Sequence, residues 1–228
     1  MNEALWLVML LVNFGMILLF FRLFGKLGLF IWVPIACIVA NIQVVKLVDL
    51  FGFAATLGNI VYASSFLVTD ILSEIYGKKE ATKAVKAGFL SLLSMTILMA
   101  LALQFVPASD DFAQSSLVTI FSIMPRIAGA SLMAYLISML HDVWAYDFWR
   151  KRFPQDRMMW VRNNASTMIS QLMDSTVFTL VAFVGVYPSG VLWQIFWTTY
   201  LLKWVVAVGD TPFLYLARHW HRKGIIEQ

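Results

Sequence analysis

The stretch "SIMPRIAGASLMAYLISML", residues 122–140, is apolar enough to lie in lipid, yet it contains Arg126 directly after a proline. A charged side chain near the centre of a bilayer costs at least about 2.5 kcal/mol unless it is paired or reaches water. The segment therefore predicts a membrane-spanning helix whose arginine has a buried acidic partner.

Composition places the whole chain in the same class. Of the 228 residues, 61% are hydrophobic and 13% are charged, whereas a soluble domain carries about 25% charged residues. We therefore expect an all-α integral membrane protein, with residues 1–228 forming a single transmembrane domain. The N-terminal "MNEALWLVMLL" lacks the basic residues of a cleavable signal and is expected to be a true span. Cys37 is the single cysteine, so no internal disulfide is expected.

Seven segments are long and apolar enough to provide the roughly 20 helical residues that cross a bilayer. They are residues 4–21, 28–47, 57–76, 84–106, 117–141, 165–187 and 190–217, which predict a polytopic helical bundle. Fourteen of the 17 Lys and Arg residues fall in alternate connections and in the C-terminal tail. Because basic residues collect on the cytoplasmic side, we expect the N-terminus outside and the C-terminus in the cytoplasm, in the plasma membrane. The net charge of +4 then does not indicate a nucleic-acid partner.

Three basic residues remain inside the predicted spans. Lys46 is near the outer end of its span and can reach the interface, but Arg126 and Lys203 lie near the middle of theirs. Candidate acidic partners include Asp70 and Glu74, which are four residues apart and share one face of the third span. Glu74 is close to the cytoplasmic end, so an interfacial charge is the alternative interpretation for it.

The sixth span carries a polar stripe on an otherwise apolar helix. Its members recur at helical spacing and are Asn163, Thr167, Ser170, Gln171 and Asp174. Such stripes often serve only to pack helices together. The aspartate favours a functional interpretation, because its charge has to face the bundle interior or water.

The seventh span combines both signs of charge. Lys203 and Asp210 are seven residues apart and so lie on nearly the same face of a helix. The segment 209–212 contains a glycine and a proline and predicts a break or kink. A broken helix at membrane depth frees backbone groups, which are tolerated where they line a cavity.

Catalytic and metal-binding patterns are missing from the sequence. There is no HExxH, GxSxG or GxxxxGK[ST] motif, and the dipeptide at His141 and Asp142 lacks a second histidine at ligand spacing. We therefore expect no enzyme activity, metal or cofactor, and a small-molecule carrier is favoured over an intramembrane enzyme or a channel. The polar and aromatic residues of the spans suit a small flat ligand, either nucleobase-like or a vitamin.

Four segments resemble the queuosine precursor transporters, also called the vitamin uptake transporter family. They are "VTDILSEIYGKKEA" (68–81), "RIAGASLMAY" (126–135), "NNASTMISQLMDSTVFTLVAF" (163–183) and "LLKWVVAVGDTPFLYLAR" (201–218). Their order and spacing are similar to those of the family over about residues 40–220. The span at 4–21 lies outside the part that members share.

The resemblance implies uptake of 7-deazaguanine bases for queuosine salvage in tRNA: the cyano precursor, the aminomethyl precursor or queuine. It also implies a six-helix core like the substrate-binding subunits of energy-coupling factor transporters, plus one extra N-terminal span. The substrate-binding residues that it implies are Asp70, Glu74, Arg126, Ser131, Asn164, Ser170, Gln171, Asp174, Lys203 and Asp210.

From this resemblance, Arg126 is predicted to pair with Asp174 or Asp70 at the edge of the binding cavity. The Asp174 carboxylate would accept N–H donors of the deazaguanine ring, and Gln171 would add an amide contact. Energy coupling is left open between proton-coupled uptake, passive uptake and an external ATPase module. In the last case the chain is a vitamin-binding capture subunit with protein partners; the other expected partners are the substrate and the lipid bilayer.

Overall fold

A computed structural model describes residues 1–44, 46–122, 125–185 and 188–226, which are largely helical. The helices are α1 Asn2–Gln43, α2 Gly58–Ile75, α3 Lys78–Ala102, α4 Gln114–Ser122, α5 Pro125–Arg152, α6 Met159–Phe183 and α7 Ser189–Arg222. A short 3₁₀ turn, Asp156–Met158, precedes α6, and two strands, β1 Leu47–Leu50 and β2 Phe53–Thr56, separate α1 from α2. Apart from this small hairpin, the all-α prediction is confirmed.

Helix α1 consists of two antiparallel arms joined at Gly25. This glycine has φ 54° and ψ −132°, a conformation outside the helical region that residues with a Cβ rarely adopt. The rings of Phe20 and Trp32, one on each arm, lie with centroids 5.3 Å apart. The Asn2 side chain donates to the carbonyl oxygen of Asp49, just past the far end of the second arm, at 3.0 Å. The chain therefore reverses direction between the segments predicted as its first two spans.

Gly28 lies against the backbone of the first arm, where a side chain does not fit. A Cβ at this position would overlap the carbonyl group of Phe20. We expect Gly28→Ala to lower the free energy of unfolding by about 1–3 kcal/mol, because the arms would have to move apart. The matched control is Gly15→Ala on the same helix, where nothing lies within 4 Å and alanine favours the helix. Thermal unfolding in detergent compares the two variants, and equal melting temperatures would contradict the close approach.

The connection after α1 forms an antiparallel β-hairpin, an element that the prediction of seven helical spans did not include. Its strands pair from Leu47 opposite Thr56 to Leu50 opposite Phe53. The two turn residues, Phe51 and Gly52, both have positive φ, as in the turns that suit the twist of a hairpin. The backbone N–H of Phe51 donates to the Glu3 carboxylate at 3.3 Å, which ties the hairpin to the N-terminus.

Helix α2 is the central helix of the bundle and packs against α1, α3, α5, α6 and α7. Fifteen of its 18 residues are buried, so it is covered on every side. The buried set includes polar residues such as Ser64, Thr69, Asp70 and Glu74. The centre of the bundle therefore requires polar partners from the surrounding helices.

Charged side chains are buried and large apolar side chains are exposed, the opposite of the distribution in soluble proteins. Asp142 and Asp210 have no exposed surface, while Leu11, Leu98 and Trp193 are more than half exposed. Large exposed apolar surfaces mark contact with lipid or with another apolar partner. Among the described helices, Asn2–Gln43 and Lys78–Ala102 are long and apolar enough to cross a membrane by length and composition. The arrangement is that of a membrane protein.

Contacts bring the basic connections of the chain to one end of the bundle. Lys26 pairs with Glu80 at 3.3 Å, which joins the first predicted connection to the third. Arg22 lies over the ring of Trp220 in the C-terminal tail, 5.6 Å from its centroid. We call this the basic end, and the opposite end, with the N-terminus and the β1–β2 hairpin, the hairpin end. The number of membrane crossings and their sidedness stay predictions.

Two predicted helices differ from those observed. The span predicted at 117–141 is divided, because α4 ends at Ser122 and α5 begins at Pro125, a residue that suits the first turn of a helix; residues 123–124 lie outside the described part. Of the break or kink predicted at 209–212, the break is wrong, since α7 continues through Gly209 and Pro212; the kink stays a prediction. A proline inside a helix is tolerated where neighbouring helices supply partners for the freed backbone group.

Candidate functional site

Asp174 on α6 and Lys203 on α7 form a buried ion pair, with side chains only 2% and 4% exposed. The ammonium group donates to Oδ2 of Asp174. The other oxygen, Oδ1, accepts hydrogen bonds from the Tyr62 hydroxyl and, at 3.3 Å, from Ser138 Oγ. Lys203 Nζ also lies 4.9 Å from the centre of the Tyr62 ring, a cation–π contact. Each charge is thus compensated, as a low-dielectric interior requires.

The ion pair lies in the wall of a cavity between the helices. The cavity is narrow: the centre of a water-sized sphere can occupy about 40 Å³ of it, within about 480 Å³ of empty space that includes the opening. The lining comes from the second arm of α1 and from α2, α3, α5, α6 and α7, and it extends along Asn41 and Asn59 toward the hairpin end. Besides the ion pair and these amides, the lining includes Tyr62, Ser131, Tyr135 and Phe178.

Arg126 does not pair with Asp174 or Asp70, so that prediction is wrong. Its Nε donates to the carbonyl oxygen of Val181 at 2.8 Å and its Nη2 to that of Val184 at 2.6 Å. The last carbonyl groups of a helix lack partners within the helix and carry partial negative charge. Arg126 satisfies them and joins the start of α5 to the end of α6.

Arg126→Met is expected to lower the free energy of unfolding by about 1–3 kcal/mol, because the carbonyl groups at the end of α6 lose a charged donor. Ligand affinity of the folded protein should not change, since Arg126 is not among the residues that line the cavity. Melting temperature and ligand binding are both measured, with Arg152→Met on the same helix as the exposed control. Loss of ligand binding with an unchanged melting temperature would instead support a ligand-binding role for Arg126.

Three further carboxyl groups lie on the basic-end side of the ion pair. Asp70, Asp142 and Asp210 are each fully buried. Thr167 Oγ1 donates to Asp70 at 3.2 Å, and Asn163 Nδ2 donates to Asp210 at 2.6 Å. We call the three aspartates the acid cluster. Asp70 and Asp210 were expected to bind substrate, but neither lines the cavity that contains Asp174.

The remaining predicted site residues on α6 are also buried, and none of them lines the cavity. Asn164 Nδ2 donates to Thr211 Oγ1 at 2.8 Å, and Ser170 Oγ lies 2.9 Å from His141 Nδ1. Gln171 has no exposed surface, and neither atom of its amide has a hydrogen-bond partner in the described ranges. Of all residues expected to bind substrate, the cavity lining includes Ser131, Asp174 and Lys203.

Glu74 lies at the basic end in a cluster of arginines, away from the cavity. Its Oε1 accepts a hydrogen bond from Arg162 at 2.8 Å and forms an ion pair with Arg218 Nη1 at 2.7 Å. Its Oε2 accepts one from the Tyr146 hydroxyl at 3.0 Å, and Arg150 Nε is 4.0 Å away. Arg162 is only 1% exposed. The arrangement indicates a structural role for Glu74.

Sequence reasoning missed four residues of these clusters: Tyr62, Ser138, Asp142 and Arg162. Spacing could have found the first three, because Tyr62 lies two turns before Asp70 on one helix and Ser138 one turn before Asp142 on another. Arg162 was counted with the basic connection because four other basic residues precede it closely. Nothing in its local sequence indicates that it is buried.

A helical membrane protein with charged groups inside and a polar-lined cavity between its helices has the architecture of a membrane carrier. The family described as "Putative vitamin uptake transporter" matches residues 56–217. The chain is 47% identical over 217 residues to the "Probable queuosine precursor transporter" of Bacillus subtilis (strain 168), covering 95% of each chain. It is 28% identical over 136 residues to the "Queuosine precursor transporter" of Escherichia coli (strain K12), covering 60% of this chain and 58% of that protein. The chain belongs to the vitamin uptake transporter family.

The family match begins after α1, at residue 56, and so leaves out both arms of that helix. The alignment with the Bacillus subtilis protein covers 95% of both chains, so that relative is similar in length. No solved structure gives a significant match to the chain.

Proposed function

We propose that this protein imports queuosine precursors, the 7-deazaguanine bases used in tRNA modification, across the plasma membrane. The relatives described above support this transport function by their names. The observation that carries the proposal is the buried Asp174–Lys203 pair in the wall of the cavity. The substrate is the cyano precursor, the aminomethyl precursor or queuine, and it is moved without chemical change.

The charges of the pair are complementary to the edge of such a base. The pyrimidine edge of a 7-deazaguanine presents two donors, a ring N–H and an exocyclic amine, beside one carbonyl acceptor. The Asp174 carboxylate accepts such donors, and the Lys203 ammonium donates to the carbonyl. A carboxylate has about four acceptor positions, and Tyr62, Ser138 and Lys203 use three of them. In the proposed complex the base takes the fourth and displaces the 3.3 Å bond from Ser138.

Aromatic and amide side chains of the lining complete the proposed complex. A planar base gains about 1–3 kcal/mol from stacking on an aromatic side chain, and Tyr135 and Phe178 are available in the cavity. The amide contact first expected from Gln171 is assigned in this proposal to Asn41 or Asn59, which line the cavity. These amides can hydrogen bond the polar substituent on the five-membered ring.

We further propose seven membrane crossings with the hairpin end outside and the basic end in the cytoplasm. In this orientation the cavity extends toward the exterior, from which the precursor is taken up. The six helical segments that line the cavity support a core of the energy-coupling factor type: the second arm of α1 with α2, α3, α5, α6 and α7. The first arm of α1 is then the extra N-terminal span.

The test is uptake of radiolabelled 7-cyano-7-deazaguanine by liposomes that contain the purified protein alone. Unlabelled guanine should compete, because it has the same pyrimidine edge. Adenine should not compete, because an amine replaces the carbonyl and its ring nitrogen lacks the hydrogen. Uptake by the protein alone supports a self-sufficient carrier. Binding without uptake would support the alternative of a capture subunit that needs an ATPase module, and no binding of any of the three precursors would contradict the proposed substrate.

A further inference from the structure

We propose that the acid cluster, Asp70, Asp142 and Asp210, is a proton-binding site, separate from the Asp174–Lys203 pair, that couples proton entry to uptake of the base. The coupling rests on the proposed function. The site itself follows from the geometry of three fully buried carboxyl groups on three different helices, α2, α5 and α7.

The closest pair in the acid cluster needs a proton. The carboxyl groups of Asp70 and Asp142 lie within hydrogen-bond reach of each other, and Asp210 is near enough to interact electrostatically with both. Two carboxylates in such contact cannot both be ionised in a low-dielectric interior, so one proton is shared between them. The pair is thus a place where a proton is held.

No Lys or Arg side chain of the described residues neutralises the acid cluster in place of that proton. Among the described residues, none of the three aspartates forms an ion pair with Lys or Arg. The nearest buried bases are already paired, Lys203 with Asp174 and Arg162 with Glu74.

The other groups that face the acid cluster are hydroxyls, amides and two titratable rings. On α2, Thr69 donates to Asp142 at 3.4 Å; on α6, Ser166 and Ser170 lie near Asp142, while their hydroxyls donate to the carbonyl oxygens of Asn163 and Ser166. On α5, Tyr146 lies near Asp70 but donates to Glu74, and His141 contacts Ser170. The remaining contacts, from α6 to Asp70 and Asp210, come from Thr167 and Asn163. None of these groups brings a fixed positive charge.

The unused atoms of the site are acceptors. Apart from the proton shared between Asp70 and Asp142, one oxygen of each aspartate receives no hydrogen bond from the described residues. Asn163 is fully buried and bonded to Asp210 through Nδ2, and its Oδ1 is likewise without a donor in that part of the chain. Acceptors without donors suit a ligand that is itself a donor. The described His, Cys, Asp and Glu residues include no group of three arranged to hold a metal ion, which favours a proton over a metal cation.

The acid cluster and the base site share two helices. Helix α7 carries both Lys203 and Asp210, and α6 carries both Asp174 and the Asp70 partner, Thr167. Asp174 follows Thr167 by seven positions, which corresponds to about 10 Å along the helix axis. A change in the contacts of one site therefore acts on the same two helices that hold the other.

The experiment uses liposomes that contain the full-length protein and radiolabelled 7-cyano-7-deazaguanine, with and without an inward proton gradient. If one proton enters with each base, a gradient of about one pH unit gives about tenfold accumulation. Asp70→Asn and Asp142→Asn should abolish this accumulation but retain exchange of labelled for unlabelled base, which moves no net proton. Asp147→Asn, on the same helix as Asp142 and in a surface ion pair with Lys151, should accumulate like the wild type.

Three outcomes would overturn the proton site: wild-type accumulation that ignores the gradient, accumulation that follows a sodium gradient, or aspartate variants that accumulate like the wild type. If the variants do not purify as folded protein, a pH-sensitive dye outside wild-type liposomes decides, because base entry should remove protons from the medium. If the wild type exchanges base but its accumulation of base does not respond to the proton gradient, the proton site is contradicted and the proposed function is not. If the wild type binds no base, the proposed function is contradicted as well.

Discussion

Asp174→Asn is expected to weaken binding of 7-cyano-7-deazaguanine at least about 100-fold, which corresponds to about 2.7 kcal/mol. Hydrogen bonds to a charged group contribute about 1.5–3 kcal/mol each, and the base is expected to make two of them with this carboxylate. Asparagine retains the size of the side chain but has a single acceptor atom. Its amide NH₂ group would face the N–H donors of the base, which it cannot accept. Binding to purified protein in detergent measures the loss directly.

Two companion variants separate the loss of a ligand contact from the loss of folding. Lys203→Met should weaken binding less than Asp174→Asn, because it removes one hydrogen bond to a neutral carbonyl. It should lower thermal stability, because Asp174 stays buried without its cation. Combining Asp174→Asn with Lys203→Met removes both charges and should restore thermal stability without restoring binding. Asp110→Asn, at an exposed position, is the control. Tight binding by folded Asp174→Asn protein would contradict the proposed site.

Glu74→Ala is expected to lower the free energy of unfolding by about 3–5 kcal/mol, the typical cost of leaving a buried charge without its partner. Arg162 would be that charge, since it is 1% exposed and its ion pair with Glu74 measures 2.8 Å. Arg218 would be affected less, because it also pairs with Asp156 at 2.5 Å. The hydrogen bond from Arg222 and the charge of Arg218 hold the pKa of Asp156 below its usual value, so this second ion pair persists near neutral pH.

The control for Glu74 is Glu80→Gln, at the same end of the bundle. Glu80 pairs with Lys83 and Lys26 near the surface, and the hydrogen bond from Lys83 lowers its pKa. Exposed pairs of this kind contribute little to stability, so the melting temperature should hardly change. Folded Glu74 variants should bind all three precursors normally. Selective loss of the aminomethyl precursor would instead support Glu74 as a substrate-binding residue, as first expected from the sequence.

The energetic cost of polar groups in lipid made several buried residues predictable from sequence. Asp70, Asp174 and Lys203 were identified because nothing in a bilayer core solvates a charge, and all three are buried. Their partners could not be predicted. Spacing along one helix shows which face a residue shares, but it does not show which residue on another helix lies opposite. Arg126 was therefore assigned to Asp174 or Asp70, whereas Asp174 binds Lys203 and Arg126 binds backbone carbonyl groups.

Backbone features were predictable to different degrees. The reversal at Gly25 falls where charge and glycine interrupt the apolar run. The hairpin was missed, because its turn is Phe51–Gly52 instead of the Asn-Gly or Asp-Gly that usually indicates one. The break expected near Pro212 did not occur: α7 continues through this exposed proline, as a helix can where contacts with other elements compensate for the lost hydrogen bond. Local sequence does not contain that tertiary information.

The turn at Gly25 bears on how the chain is assembled during synthesis. It makes the first 43 residues a pair of apolar arms that can enter a bilayer together before the charged helices have left the ribosome. Asn13, buried on the first arm, donates a hydrogen bond to Ser64 of α2 in the complete bundle, and it lacks this partner until α2 has been synthesised. The N-terminal arms would thus act during biogenesis as a membrane-embedded template, onto which the central polar helix is recruited as it emerges.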